Sequence, residues 1–265
     1  MENKLETLKS ILASMERIAV AFSGGVDSTF LLKVAKEVLG DQVIAVTARS
    51  DMFISFEYTD AKSLAEHLNV PLMTVDSNAL DLPNVWKNPP DRCYHCKKAI
   101  FSAVLKIAGA HHMKTVVDGT HAGDTDDYRP GMKALEELGV RSPLKEANLT
   151  KAEIRQLSQK LSLPTHNKPS MACLASRFPY GVSITKKTLQ QVARAETVLR
   201  NLGFESLRVR HHDTLARIEV PVSLIEKCAD SNIRNTIIRE FKKLGYHYIT
   251  LDLQGFRSGS MNEVL

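Results

Sequence analysis

The chain has 265 residues, 35 Lys and Arg against 30 Asp and Glu for a formal net charge of +5, and a hydrophobic fraction of 43%. That is ordinary soluble globular composition, with length for one large domain or two smaller ones and a core that needs no disulfide staple. No apolar run approaches the roughly 18 residues of a membrane span, and the early acidic residues and spaced apolar positions of MENKLETLKSILASMERIAV do not fit a secretory or transit leader. A cytoplasmic location is expected. There, Cys93, Cys96, Cys173 and Cys228 are to be weighed as metal ligands, nucleophiles or core thiols rather than as disulfides.

The first half alternates strand and helix patterns. Helical spacing runs from Leu5 to Met15, a β-rich run from Arg17 to Phe22, and helical spacing again from Asp27 to Leu39. Gln42 to Thr47 reads as a strand, Tyr58 to Leu68 as a helix, Pro71 to Val75 as a strand, Tyr94 to Ala108 as a helix and Thr115 to Val117 as a strand. Four strands with crossover helices predict an α/β fold, a doubly wound parallel sheet whose ligands sit beyond the carboxyl ends of the strands. From Thr150 the pattern changes. Thr150-Lys-Ala-Glu153 is a capping box that opens a helix to about Leu161, and a loop rich in Pro, Ser and His follows to Tyr180. A helix from Thr185 to Leu202, a strand pair Leu207 to His211 and Thr214 to Val220, a mostly helical stretch from Ser223 to Leu244 and a strand from Tyr246 to Leu251 predict a smaller C-terminal α+β domain. The expected domains are 1–149 and 150–265, with a mobile tail from Gly255.

Charge divides the same way. Residues 1–150 carry 17 basic and 20 acidic side chains, net −3, and residues 151–265 carry 18 and 10, net +8. A basic half suits an anionic ligand, and on charge alone a solvated basic surface is an equal alternative.

Ser23-Gly24-Gly25-Val26-Asp27-Ser28 lies between an apolar strand and an amphipathic helix. Glycines permit close backbone approach, the helix N-terminus offers free N–H groups to phosphate, the serines add hydroxyls, and Asp27 fits Mg2+. Neither a Walker motif nor a dinucleotide fingerprint is present. The run resembles the PP-loop of ATP pyrophosphatases, a fold of the adenine nucleotide alpha hydrolase type, which cleave ATP to pyrophosphate and transfer AMP to substrate oxygen. The resemblance implies pyrophosphate along Ser23 to Ser28 and adenosine near Ala48, Arg49 and Ser50. A second loop, Asp118 to Gly131, follows the fourth strand. Its Gly119 is expected at the nucleotide, Asp124 and Asp127 at Mg2+, and Arg129 at the adenylate phosphate. For an acidic loop read by itself, a solvated turn is the plainer alternative.

Cys93 and Cys96 are spaced to share one metal or one disulfide, and Cys173 is the natural third thiol of a 4Fe-4S cluster with one open iron. Zinc with His95, a redox dithiol and inert thiols are the other readings. Cys173 itself lies in Lys168 to Gly181, a polar, Pro-bounded loop with Lys168 and Arg177 nearby, where a thiolate nucleophile is favoured and a buried loop thiol is the alternative. With the PP-loop and Asn88-Pro-Pro-Asp-Arg-Cys-Tyr-His-Cys, this segment closely resembles the LarE family of ATP-dependent sulfur transferases over essentially the whole chain. The resemblance implies that ATP adenylates the carboxylates of pyridinium-3,5-biscarboxylic acid mononucleotide and that Cys173 displaces AMP. It implies sacrifice of Cys173 in single-cysteine members and a cluster-bound sulfide in three-cysteine relatives. Cys93 and Cys96 depart from the single-cysteine pattern and put sacrifice in question.

The resemblance also implies a substrate site of Ser176, Arg177, Glu196, Arg208, Arg210 and Glu219, and strand alternation puts Arg208 and Arg210 on one face for a phosphate or carboxylate. Solvated strand arginines are the alternative. Cys228 reads as core. The cofactors expected are ATP, Mg2+ and, on the cluster reading, 4Fe-4S; the partners are a small anionic mononucleotide and copies of the chain in a homo-oligomer, with no membrane and no nucleic acid. A tRNA-thiolating PP-loop enzyme is the second reading and a non-catalytic nucleotide-binding regulator the third.

Overall fold

The computed structural model describes every residue except 51, 53–54, 126–129, 170–171, 258 and 265. Contacts divide the chain into two compact units, Met1–Ala79 with Asp91–Met171, and Leu80–Pro90 with Ala172–Leu265.

The first unit opens with α1 (Glu2–Ala13), β1 (Ile18–Ala21), α2 (Val26–Leu39), β2 (Val43–Arg49), α3 (Ser55–His67) and β3 (Leu72–Asp76). In the second unit's inserted stretch lies α4 (Pro83–Trp86); the first unit then resumes with α5 (Arg92–Ala110), β4 (Thr115–Val117), α6 (Pro130–Glu137), α7 (Pro143–Glu146) and α8 (Lys151–Lys160). Its four strands are all parallel, in the order β3-β2-β1-β4. Both faces are covered, so the strands are apolar on both sides. Ile18 and Val20 of β1 and Val43 and Ala45 of β2 join the core beneath α1, α2 and α8. Ala19, Ile44 and Val46, which alternate with them, join the core beneath α5 and α6. The chain builds outward from β1 to β3 and then crosses back to place β4 on the other side of β1. The strand order therefore reverses between β1 and β4, the place where sheets of this kind hold ligands.

The second unit contains α9 (Lys186–Asn201), β5 (Arg208–His212), β6 (Leu215–Glu219), α10 (Ile225–Ala229), α11 (Ser231–Lys243) and β7 (Tyr248–Leu251). β5 and β6 are antiparallel, and β7 adds parallel to β6. Ala195, Leu199, Phe204, Val209, Ile218, Ile237, Phe241 and Tyr246 form its core. Cys228 is buried there, and burial pushes its thiol pKa up, so it is a core thiol as the sequence predicts.

Most predicted elements are present within two or three residues at their ends. Three short helices that begin at proline, α4, α6 and α7, carry too few turns to show periodicity in the sequence. The stretch from Ser223 to Leu244 is broken at Asp230, whose carboxylate accepts the N–H groups of Asn232 at 3.0 Å and Ile233 at 3.1 Å and starts α11 anew. Along the chain the compact units change over after Ala79, Pro90 and Met171. α8 stays with the first unit because Ile154 and Leu157 complete the core beneath α2. Residues 80–90 join the second unit because Asn88 Nδ2 donates to the carbonyls of Phe178 and Pro179, while the N–H groups of Gly181 and Ile184 donate to the carbonyls of Asn88 and Trp86. The tail is not the loose end expected. Phe256 N–H donates to the Val220 carbonyl at 2.9 Å, Tyr180 Oη donates to Asn262 Oδ1 at 3.0 Å, and Arg257 pairs with Glu263. Among the described residues no helix is long and apolar enough to cross a membrane.

The capping box of α8 is formed as predicted, with Thr150 N–H donating to Glu153 at 2.9 Å and Lys4 adding an ion pair at 2.9 Å. Lys4 first, and then the Thr150 N–H, hold the Glu153 carboxyl down from its usual 4.5 to about 2. Because this pKa is lower in the folded state, the stabilisation is complete above about 4.5 and is lost as pH falls toward about 2. Acid unfolding followed by circular dichroism is therefore expected to show E153Q less stable than the parent at neutral pH, with the gap closing across that window.

Candidate active site

β1 ends at Ala21, and the loop Ser23–Ser28 turns directly into α2. Gly24 sits at φ +68°, and a Cβ there would stand 3.2 Å from the Cα of Ala61 on α3, so conformation and space both demand glycine. Ser23 Oγ and Ser28 Oγ lie 3.0 Å apart, and Ser23 Oγ also accepts the Gly25 N–H at 3.3 Å, which folds the loop upon itself. Val26 packs into the core below and anchors the first turn of α2. From β4 comes the second approach. A Cβ on Gly119 would lie 3.1 Å from the Ser28 nitrogen and 3.3 Å from Asp27 Cβ, so the loops after β1 and β4 touch backbone to backbone.

Asp27 Oδ2 accepts from Lys151 Nζ, while Oδ1 is buried with no hydrogen-bond partner among the described residues. A carboxylate oxygen left open beside a phosphate loop fits the Mg2+ expected there. Asp118 is spent on the fold. It accepts from Thr120 Oγ1 at 2.5 Å, the Thr120 N–H at 3.2 Å and Ser142 Oγ at 2.6 Å, which fixes the loop that carries Gly119. Asp124 accepts the His121 N–H at 3.0 Å and stands 3.7 Å from His121 Nδ1. Asp127 and Arg129 lie outside the described residues. Among those described, no three His, Cys, Asp or Glu side chains gather to hold a metal ion. At the exit of β2, Ala48 is half-buried, Arg49 pairs with Asp76 at 2.8 Å, and Ser50 Oγ accepts the Met52 N–H at 3.3 Å.

Cys93 and Cys96 stand one turn apart at the start of α5, partly exposed and in no disulfide among the described residues. Arg92 Nη2 reaches Cys93 Sγ at 3.8 Å, and His95 is engaged with Asp91 at 3.2 Å.

In the second unit Cys173 is a free, partly exposed thiol immediately before a 3-10 turn, Leu174–Arg177. The Cys173 carbonyl accepts from Ser176 N–H at 3.0 Å, Ser176 Oγ at 2.9 Å and Arg177 Nη1 at 3.0 Å. Arg177 is 1% exposed and makes a two-pronged pair with Glu196, at 2.7 and 3.0 Å. Arg210 pairs likewise with Glu219, at 2.8 and 2.7 Å, and donates to the Ser176 carbonyl and Ser260 Oγ. Two expected anion grips, Arg177 and Arg210, thus have buried carboxylates of their own. Arg208 has none among the described residues. It donates to the Leu207 carbonyl at 2.7 Å and lies over the Phe256 ring at 4.9 Å. Burial, then the nearby Arg177 charge, brings its pKa down to about 10, so it stays cationic at neutral pH. Glu196 is held below the usual carboxylate range: burial works to raise it, and Arg177, Arg200 and Arg208 together outweigh burial.

A family model described as NAD synthase matches residues 3–123, the span that contains the four-stranded sheet and the Ser23–Ser28 loop. The chain is 43% identical over 266 positions to pyridinium-3,5-bisthiocarboxylic acid mononucleotide synthase of Lactiplantibacillus plantarum, covering 100% of this chain and 96% of that protein. It is 42% identical to an uncharacterized protein of Synechocystis over 265 residues, 100% and 99% of the two chains. It is also 30% identical to an uncharacterized protein of Methanocaldococcus jannaschii over 244 residues, 92% of each.

Removing one partner of a buried ion pair strands the other charge. Glu196→Ala is expected to lower stability by about 3–5 kcal/mol, well beyond the effect of truncating an exposed glutamate, as measured by denaturant titration.

Proposed function

The chain belongs to the LarE family of ATP-dependent sulfur transferases, built on the PP-loop fold, and from that premise we propose that it converts pyridinium-3,5-biscarboxylic acid mononucleotide to its thiocarboxylate form for a nickel-pincer cofactor. The observation that carries the reading is the full-length similarity to the pyridinium-3,5-bisthiocarboxylic acid mononucleotide synthase, and two features of this chain support it: the Ser23–Ser28 loop approached by Gly119, and the Cys173 thiol held before a short helical turn. A substrate carboxylate oxygen attacks the α-phosphorus of ATP, and pyrophosphate leaves along Ser23–Ser28, where the N–H groups of α2 and the serine hydroxyls meet its charge. Asp27 would hold Mg2+, which shields phosphate charge when bound; Asp124 and Asp127 are the further residues proposed for it, and Ala48, Arg49, Ser50 and Arg129 those for the nucleotide.

The Cys173 thiolate then attacks the acyl carbon and expels AMP, leaving a thioester. On the sacrificial route the Cys173 Cβ–Sγ bond breaks with loss of the α-proton, leaving dehydroalanine on the chain and sulfur on the product. The two thiols one turn apart at the start of α5 favour a second route. Cys93, Cys96 and Cys173 would hold a 4Fe-4S cluster, which supplies an iron-bound sulfide as the transferred sulfur and spares the protein. Arg208, cationic and in no ion pair of its own among the described residues, is the residue proposed to meet the anionic substrate, while Arg177 and Arg210, locked by Glu196 and Glu219, with Ser176, shape the ground beneath it.

One anaerobic turnover with Mg-ATP and the biscarboxylic mononucleotide tests this. Pyrophosphate and AMP are expected, with Cys173→Ala still releasing pyrophosphate but forming no thiocarboxylate. Intact mass short by the elements of hydrogen sulfide at Cys173 marks sacrifice; an unchanged mass with iron-sulfur absorption that Cys93→Ala abolishes marks the cluster route. Absence of pyrophosphate with every substrate sinks the enzymatic reading.

A further inference from the structure

Pyrophosphate leaves with several negative charges, yet the loop meant to hold it is not cationic. Its own donors are backbone N–H groups and the hydroxyls of Ser23 and Ser28, and its one ionised side chain, Asp27, has the wrong sign. The cations arrive from elsewhere in the first unit. Lys151, the first residue of α8, places its ammonium group on Asp27 Oδ2. Lys168, in the loop beyond α8, donates to the Gly24 carbonyl at 3.2 Å and to Asp60 Oδ2 at 2.9 Å. Arg155, one turn along from Lys151, donates to the carbonyls of His166 at 2.6 Å and Lys168 at 2.8 Å, tying the returning loop to the same helix. A single helix-and-loop piece thus sets one ammonium group at each end of the phosphate loop.

Asp27 and the Gly24 carbonyl are exchangeable partners, while the ion pair with Asp60 can stay and hold Lys168 at the loop. Asp27 has its second oxygen buried and without a partner among the described residues, the condition of a carboxylate that a divalent cation would claim more strongly than one ammonium group. A neutral carbonyl such as that of Gly24 is a weaker acceptor than a phosphate oxygen. Lys151 and Lys168 are partly exposed, at 33% and 21% of the side chain, so their ends can move without opening the core. We propose that Lys151 and Lys168 are phosphate-binding residues that take the β- and γ-phosphates of ATP and retain pyrophosphate as it departs, exchanging Asp27 and the Gly24 carbonyl for phosphate oxygens. The inference rests on the ATP-cleaving reading above and adds to it the cationic half of the leaving-group site.

Calorimetric titration of the full chain with magnesium pyrophosphate tests it. Lys151→Met and Lys168→Met are each expected to weaken binding by about tenfold or more, the scale of one charge-assisted contact, while the corresponding Arg variants, which keep the charge, retain most of it. In turnover the Met variants raise the KM for Mg-ATP and lose inhibition by pyrophosphate. Pyrophosphate affinity unchanged in both Met variants overturns the proposal, as does a parent protein that binds no pyrophosphate. Equal losses in the Met and Arg variants together with a lowered melting temperature mean a structural role and overturn it too. A parent that binds magnesium pyrophosphate through these lysines but never releases it from ATP overturns the enzymatic reading and leaves the phosphate site standing.

Discussion

The close backbone approach between Gly119 and Ser28 is the constraint on which the first unit's chemistry depends. Two parallel strands, β1 and β4, run side by side with their carboxyl ends level, and the turns that follow them meet where a methyl group would already be 3.1 Å from a backbone nitrogen. Everything else at that edge serves the approach. Asp118 spends both oxygens on Thr120 and Ser142, so the loop after β4 cannot sag away, and Gly24 accepts a left-handed backbone against Ala61 so that the loop after β1 can turn inward. The N–H groups at the start of α2 thereby stand where the two loops meet, and a helix N-terminus of this kind suits an anion.

In the second unit the controlling interactions are electrostatic. Arg177 with Glu196 and Arg210 with Glu219 are buried, two-pronged pairs, and such pairs stabilise mainly by making their own loss costly. Their further hydrogen bonds go to main-chain carbonyls: Arg177 to Ala172 and Cys173, Arg210 to Ser176. The segment around the thiol is therefore fixed by guanidinium groups whose own charge is already matched. Arg208 makes no ion pair of its own among the described residues, and its depressed pKa reflects burial first and then the nearby Arg177 charge, with Glu196 opposing them.

Much of this was legible along the chain. The double-sided apolar runs of β1 and β2, the capping box of α8, and the glycine-serine loop between a strand and a helix are local patterns set by backbone periodicity and by which residues tolerate which turns. The fold class followed from them, and the family from the resemblance carried by Ser23–Ser28, Asn88–Cys96 and Lys168–Gly181. Proline-started helices of one or two turns did not, because so few residues show no period. The placement of residues 80–90 in the second unit did not either, since it rests on Asn88 bonding to carbonyls some ninety positions away.

The sequence by itself determined the chemistry available: a loop for phosphate, a cysteine in a polar segment, two thiols one turn apart, and a surplus of arginine in the second half. Tertiary structure decided how those groups are used. Only packing reveals that Arg177 and Arg210 are already matched by carboxylates, that Asp118 braces a loop, and that Lys151 and Lys168 reach back to residues more than a hundred positions earlier. The reason is physical: pattern along a chain encodes conformation over a few residues, whereas the partner of a charge is set by where the folded backbone brings distant side chains together.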